Sequence, residues 1–255
     1  MAKLLGSGPF PKRIEEYVVY RLPGIEEPIL RLNTGFESKS WRTADKYAKS
    51  RWLASEFGAL IRVCKLFREG LDLVLPRYNR KGICNHLVKK LYPFIAMDGV
   101  SVWGERCLSK AFECLDVREG MVGFDFNPQS KFYCKEGIFL VDSAGLYYHL
   151  QVGHFLEQLV FPTDSACGGV QLHRYVYDFG MGSGAFVSGD LCFVHQDSGL
   201  DFVSLPVPII ADCHGVDFLL FSVSFFEVDG GGFVPVVGCG NGSVRVLECG
   251  MVRKI

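Results

Sequence analysis

Asp212-Cys213-His214-Gly215 sets a thiol beside an imidazole, the two groups that nucleophilic cysteine chemistry uses when the base reaches the sulfur. Neighbours on a strand point to opposite faces, so the pair works only if it lies in a turn; otherwise Cys213 is a buried thiol followed by a loop histidine. A Cys-His hydrolase is therefore the third-ranked reading. Cys84-Asn85-His86 and the scattered His149, His154, His173 and His195 are potential zinc ligands by type, but none shows CxxC or HxxxH spacing. Gly180-Met181-Gly182-Ser183-Gly184 imitates a phosphate loop, yet a phosphate loop must open a helix after a strand. Here the glycines lead into AFVSGDLCFVH, which reads as another strand, so a hairpin loop is expected. The glycines from Gly238 to Gly242 read as a turn in the same way. No catalytic, cofactor-binding or metal residue is expected on these grounds, and the chain is read as not an enzyme.

The charged residues carry a different signal. The 255 residues hold 27 Lys+Arg and 28 Asp+Glu, a net charge of -1. Residues 1–120 hold 21 and 14, a net of +7, while residues 121–255 hold 6 and 14, a net of -8. Opposed halves suit an internal fit, a head-to-tail contact between copies, or a basic surface for an acidic partner. Arg77-Tyr78-Asn79-Arg80-Lys81 and Lys89-Lys90 form a basic cluster able to touch phosphate, although a solvated helix face is the more ordinary reading. Nucleic acid stays a minor partner hypothesis.

The elements that must position these residues fall into three regions. Residues 1–40 form a β arm, with IEEYVVYRLPGIEEPILRL (14–32) as two strands around a Pro23-Gly24 turn. Residues 41–120 form a helical unit of two or three helices. Trp52, Phe57, Leu60, Ile61, Cys64, Phe67, Leu71 and Val74 recur at helical spacing, with Ser40 or Thr43 as N-cap and Pro76 as stop. A second helix is expected over 79–92 (Ile83, Leu87, Leu91), and a third over 101–115 (Val102, Cys107, Leu108, Phe112, Leu115). From 121 to 255, short apolar runs alternate with Gly, Asp, Asn and Pro, among them GIFLVD, LYYHLQV, VPIIADC and FLLFSVSFFEVD. Eight or nine strands without a helical period predict an antiparallel β-sandwich, Ig-like or similar, so the fold class expected is α+β. Asp229-Gly230-Gly231-Gly232 is the clearest hairpin turn.

Gly6, Gly8, Pro9 and Pro11 interrupt any signal-peptide core, and no apolar run approaches the ~20 residues of a membrane helix. A soluble protein is expected, cytoplasmic or released without a signal peptide. The ten cysteines lie between 64 and 249 and are read as reduced, buried small hydrophobes.

Several spaced pieces carry a resemblance. They are Tyr17-Val18-Val19-Tyr20-Arg21; Ser55-Glu56-Phe57-Gly58 with Lys65 and Arg68; Gly123-Phe124-Asp125-Phe126-Asn127; and Ser224-Phe225-Phe226-Glu227 with Gly240-Asn241-Gly242. In these the chain resembles an uncharacterised family of Bacteroidetes-type bacterial proteins of about 200–270 residues. That resemblance implies the same architecture, a bacterial origin and no assigned activity. Read physically, Phe57 belongs to the apolar stripe, and Gly58 costs ~1 kcal/mol in a helix, so a close backbone approach is expected there. Phe124 and Phe126 alternate onto one face, with Asn127-Pro128 as the turn.

The leading functional expectation is a structural protein that self-assembles into a homo-oligomer or helical filament through strand-arm exchange and head-to-tail contacts. Tyr17, Val19, Arg21, Ile29 and Arg31 are its assembly candidates, and copies of itself are its partners. The alternative is a β-sandwich module that binds a protein or surface glycan.

Overall fold

The computed structural model describes residues 2–3, 13–21, 27–32, 38–75, 80–129, 137–142, 145–163, 165–236 and 242–252. The Pro23-Gly24 turn, Pro76, residues 77–79, Cys134 and 238–241 lie outside them. Two compact units are present, Met1–Leu53 and Ala54–Ile255.

In the first unit, β1 (Ala2–Lys3), β2 (Arg13–Ile14), β3 (Tyr17–Tyr20) and β4 (Ile29–Leu32) form an antiparallel sheet in the order β1-β4-β3-β2. The expected strand pair is β3 with β4, in register Tyr17 to Leu32 and Tyr20 to Ile29. Ser40 and Thr43 cap no long helix. They lie inside the short α1 (Ser38–Thr43), which a 3-10 turn over Asp45–Tyr47 separates from α2 (Ala48–Glu69). Arg51 closes the end of α1 by donating to the carbonyls of Trp41 and Ala44, at 2.7 and 2.9 Å, where the helix dipole favours a cation.

In the second unit, α2 continues to Glu69 and is followed by α3 (Arg80–Leu91), a 3-10 turn (Tyr92–Met97), α4 (Leu108–Ala111) and α5 (Leu115–Met121). The expected helix over 79–92 is α3. The one expected over 101–115 is instead a loop and two short helices. Asp98 holds that loop, its carboxylate accepting the amides of Val100, Ser101 and Cys107 at 2.9–3.0 Å, so the backbone bonds to a side chain rather than to itself. Val102 and Leu115 are consequently exposed, while Leu108 and Phe112 are buried as the period predicts. The α2 stripe is also narrower than its spacing suggests. Leu60, Cys64, Phe67 and Leu71 are buried, but Trp52, Phe57 and Ile61 face water.

Nine strands follow among the described residues: β5 (Gly137–Asp142), β6 (Gly145–Gln151), β7 (Cys167–Asp178), β8 (Ser183–Ser188), β9 (Cys192–His195), β10 (Phe202–Pro206), β11 (Gly215–Asp229), β12 (Gly232–Pro235) and β13 (Ser243–Val252). All their pairings are antiparallel. One sheet has the order β10-β6-β5; the other runs β12-β11-β7-β8, with β13 also on β11 and β9 also on β7. The chain is thus mixed α+β. Two details depart from expectation. VPIIADC is irregular, and its Pro208 lacks a ladder donor, while LYYHLQV ends in a short helix, α6 (Val152–Gln158), that buries Val152 and Phe155.

Strands β7 and β11 are buried on both faces, which is why FLLFSVSFF reads as a continuous apolar run. On one face Tyr175, Tyr177, Val216, Phe218 and Leu220 join Leu60, Phe67, Ile83, Leu87 and Phe112 of the helices in one core. On the other, Val170, Leu172, Phe221, Val223 and Phe225 meet Tyr148, Leu150, Val203 and Leu205 of the three-stranded sheet. The layers are therefore helices, six-stranded sheet, three-stranded sheet.

GFDFN behaves as its alternation predicts. Phe124 and Phe126 are buried, and the backbone pairs with β13 through Gly123 N–H to Val246 O, Val246 N–H to Phe124 O and Phe126 N–H to Val244 O, at 2.8–2.9 Å. The β11–β12 hairpin turns at Gly230 and Gly231, whose φ of 56° and 85° suit a type I′ turn.

Gly58 is not a close-approach glycine, since nothing stands where a Cβ would go; Gly70 is, because a methyl there would overlap the Tyr175 hydroxyl, which donates to Phe67 O at 3.2 Å. Gly58→Ala is therefore expected to raise stability by up to ~1 kcal/mol, and Gly70→Ala to lower it by ~1–3 kcal/mol. Urea unfolding of the two variants measures both signs.

Candidate functional site

The cysteine and histidine flagged by sequence do not meet. His214 Nδ1 lies 3.1 Å from Asp178 Oδ2, and among the described residues no hydrogen bond joins it to Cys213. Asp178 also accepts the amides of Met181 and Gly180, which, with His214, lowers its pKa against the opposing effect of burial. This arrangement shapes the Gly180–Gly184 segment as the β7–β8 hairpin, and β8 follows it directly as expected. The eight described cysteines are free thiols. Burial pushes Cys64 and Cys249 up to about 12, which removes them as thiolates near neutrality. Among the described residues no group of three or more His, Cys, Asp or Glu is placed to hold a metal ion.

Glu56 is the polar residue that sequence reasoning missed. In Ser55-Glu56-Phe57-Gly58 the buried side chain is Glu56, and Phe57 stands outside, edge-on to Tyr92 at 5.8 Å. Arg106 grips the Glu56 carboxylate with two bonds of 2.8 Å, and Gly104 N–H adds a third. The Arg106 hydrogen bond lowers the Glu56 pKa, against the opposing effect of burial. Asp98 is buried as well. Burial opposes its ionisation, but the amides of Ser101, Cys107 and Val100 outweigh that and hold its pKa at about 2. Two buried carboxylates thus fix the 98–107 loop, which exposes three apolar side chains beside Glu105: Val100 is 79% exposed, Val102 65% and Trp103 53%, the last under the Arg106 guanidinium at 4.2 Å. The signal available in sequence was Glu56 at a stripe-adjacent position, with no means of locating Arg106, fifty residues on.

The opposite layer also shows an apolar surface. In β5-β6-β10, Phe139, Tyr148, Leu150, Val203 and Leu205 face the core, leaving Ile138, Leu140, Tyr147, His149, Phe202 and Pro206 on the outer face. Ile138 is 59% exposed and Leu140 48%. His149 there bonds Ser204 at 2.9 Å. Among the described residues β5 pairs with β6 alone, so GIFLVD is an edge strand whose one charge is its last residue. In the first unit, Tyr17, Arg21 and Arg31 are exposed, Val19 is half-buried and Ile29 is buried.

Two clefts remain. One of about 330 Å³ holds Arg174, Asp217 and Glu248, but the guanidinium is committed to Asp217 by three contacts and to Pro208 O. The other, of about 500 Å³, lies between α3 and residues 122–128. His86, Lys89 and Lys90 line one side, Phe124, Asp125 and Asn127 the other. His86 stacks on Phe124 with ring centres 4.9 Å apart, and the Lys90 ammonium stands 5.7 Å from the Phe94 ring and 6.0 Å from Phe124.

Comparison with family models, with curated proteins and with solved structures finds no match. The site must be read from its own chemistry.

His173, fully buried at the centre of β7, bridges Ser188 at 2.8 Å and Ser222 at 2.7 Å. Burial lowers its pKa from 6.5 to about 4. Between those values the unfolded chain binds a proton that the folded chain refuses. The stability held by neutral His173 is therefore complete above pH ~6.5 and lost as pH falls toward 4, a change on the order of 3 kcal/mol. Equilibrium unfolding at a series of pH values should show this slope, and His173→Gln should flatten it between pH ~6.5 and ~4.

Proposed function

We propose that the chain is a non-enzymatic structural protein that assembles head to tail with copies of itself. The apolar loop over 98–107 of one copy seats on the outer face of β5-β6-β10 of the next. The observation that carries this reading is the exposure of two apolar surfaces on the opposite outer layers of one unit. Large exposed apolar surfaces mark interaction sites, and a Trp beside an Arg on a fixed loop has the composition of an interface hot spot. Charge supports the same pairing. Residues 54–120 hold 11 Lys+Arg against 8 Asp+Glu, a net of +3, and face a β half of net -8. Unlike surfaces on opposite sides make a heterologous contact, which propagates as a ring or a filament.

In this reading the two sheets form a β-sandwich with a helical layer added. The arm supplies a second contact by strand addition at the open β5 edge.

Light scattering after size exclusion, with negative-stain images, tests the proposal. Wild type should exceed the mass of one chain, while Trp103→Asp and Leu140→Asp should each run as monomers, weakened by roughly 2 kcal/mol or more per contact. An equal mixture of the two variants should give a dimer, because each retains the surface that the other lacks. Wild type that stays monomeric at high concentration, or a mixture that stays monomeric, overturns the assignment. Removal of residues 1–35 should shorten the assemblies without abolishing the mixed dimer.

A further inference from the structure

We propose that the cleft between α3 and residues 122–128 binds a small phosphorylated anion carrying two or more negative charges. Its volume of about 500 Å³ falls within the ~300–1,000 Å³ of small-ligand sites. One wall carries His86 and two cations, Lys89 and Lys90, on the C-terminal turn of α3. The sequence around them, residues 73–97, holds no Asp or Glu. Among the described residues Arg80 meets Asp72 at 3.6 Å, whereas no carboxylate lies within 4.0 Å of Lys89 or Lys90.

The opposite wall cannot neutralise them cheaply. Asp125 is its one carboxylate, and that group is committed to the turn, accepting from the Ser243 hydroxyl and from the Asn127 amide at 2.8 Å. The ring of Phe124 has His86 stacked upon it and the Lys90 ammonium within 6.0 Å, so it is poorly placed as a stacking platform for bases. The cleft therefore reads charge rather than base identity. Lysine ammonium groups bind phosphate oxygens as point charges, and two adjacent ammoniums with an imidazole nearby match a di-anionic or tetra-anionic group better than a single carboxylate.

Isothermal titration of the full chain with inorganic pyrophosphate at low salt tests this. Saturable binding at one site per chain is expected, and Lys89→Ala with Lys90→Ala should weaken it on the order of tenfold per lysine. Lys110→Ala, a cation on α4, should leave it unchanged. Thermal melts confirm that the variants fold, and Lys90→Gln, which keeps more of the side-chain stem over Phe124, should weaken binding as the alanine does. Absence of saturable heat, equal binding by the lysine variants, or an equal loss in Lys110→Ala overturns the site. A single-stranded oligonucleotide that binds while pyrophosphate does not also overturns it, in favour of a polymer backbone. Binding is read per chain on the monomeric Leu140→Asp variant as well, so its failure is separable from failure of assembly.

Discussion

The Phe67 side chain is where the helical layer is seated on the sheet. Its ring centre lies 5.1 Å from Tyr175, 5.1 Å from Tyr177, 5.2 Å from Phe218 and 5.6 Å from Phe179, with Phe126 at 6.1 Å. Those partners come from two sheet strands, the hairpin after β7 and the GFDFN segment, so one helical side chain ties four parts of the chain together. Truncating a buried phenylalanine costs ~3–5 kcal/mol, a large part of the ~5–15 kcal/mol that holds a domain together. The Tyr175 hydroxyl donating to the Phe67 carbonyl, and the missing Cβ at Gly70, let α2 approach this closely. Helix α3 packs into the same core through Ile83, Leu87 and Leu91, and the walls of the cationic cleft are held by that packing.

The sheet edges are treated unequally. Residues 123–126 pair with β13, and Asn127 reaches back to the Gly242 carbonyl, so that edge is covered by the chain's own backbone. The β5 edge has no such cover among the described residues. Its sequence also lacks the lysines, prolines and inward charges by which monomeric proteins blunt an edge. Exposed β-branched and aliphatic side chains on an open edge favour association with another chain, and the outer face beside it extends the same apolar surface.

Much of this fold was legible in the residues. The apolar run at 218–226 identified a strand, though not its burial on both faces; GFDFN showed its own burial pattern and Asp229-Gly230-Gly231-Gly232 its hairpin, because each depends on neighbours close in sequence. What failed depended on distant partners. Phe57 falls on the expected core stripe because helical period cannot tell a wide stripe from a narrow one, and the expected third helix is too long because nothing local shows that Asp98 captures three amides. Gly58 and Gly70 look equally suited to close approach until Tyr175 is placed beside one of them. The basic cluster was visible, but the wall that faces it was not, since His86 and Phe124 are joined only by folding.

The buried Glu56–Arg106 pair contributes position more than stability. Desolvating two charges costs several kcal/mol, and apolar residues of similar volume in such a place are often neutral or stabilising. What an ion pair adds is position: a bidentate guanidinium fixes distance and angle, and the Gly104 amide on the same carboxylate fixes the backbone beside it. The position so fixed is that of Val100, Val102 and Trp103, which stand exposed to solvent. Ordering such a loop in advance removes its entropic cost from a later association. A loop whose anchoring carboxylates are buried while Val100, Val102 and Trp103 stand exposed beside Glu105 is ordered in advance for the association proposed above.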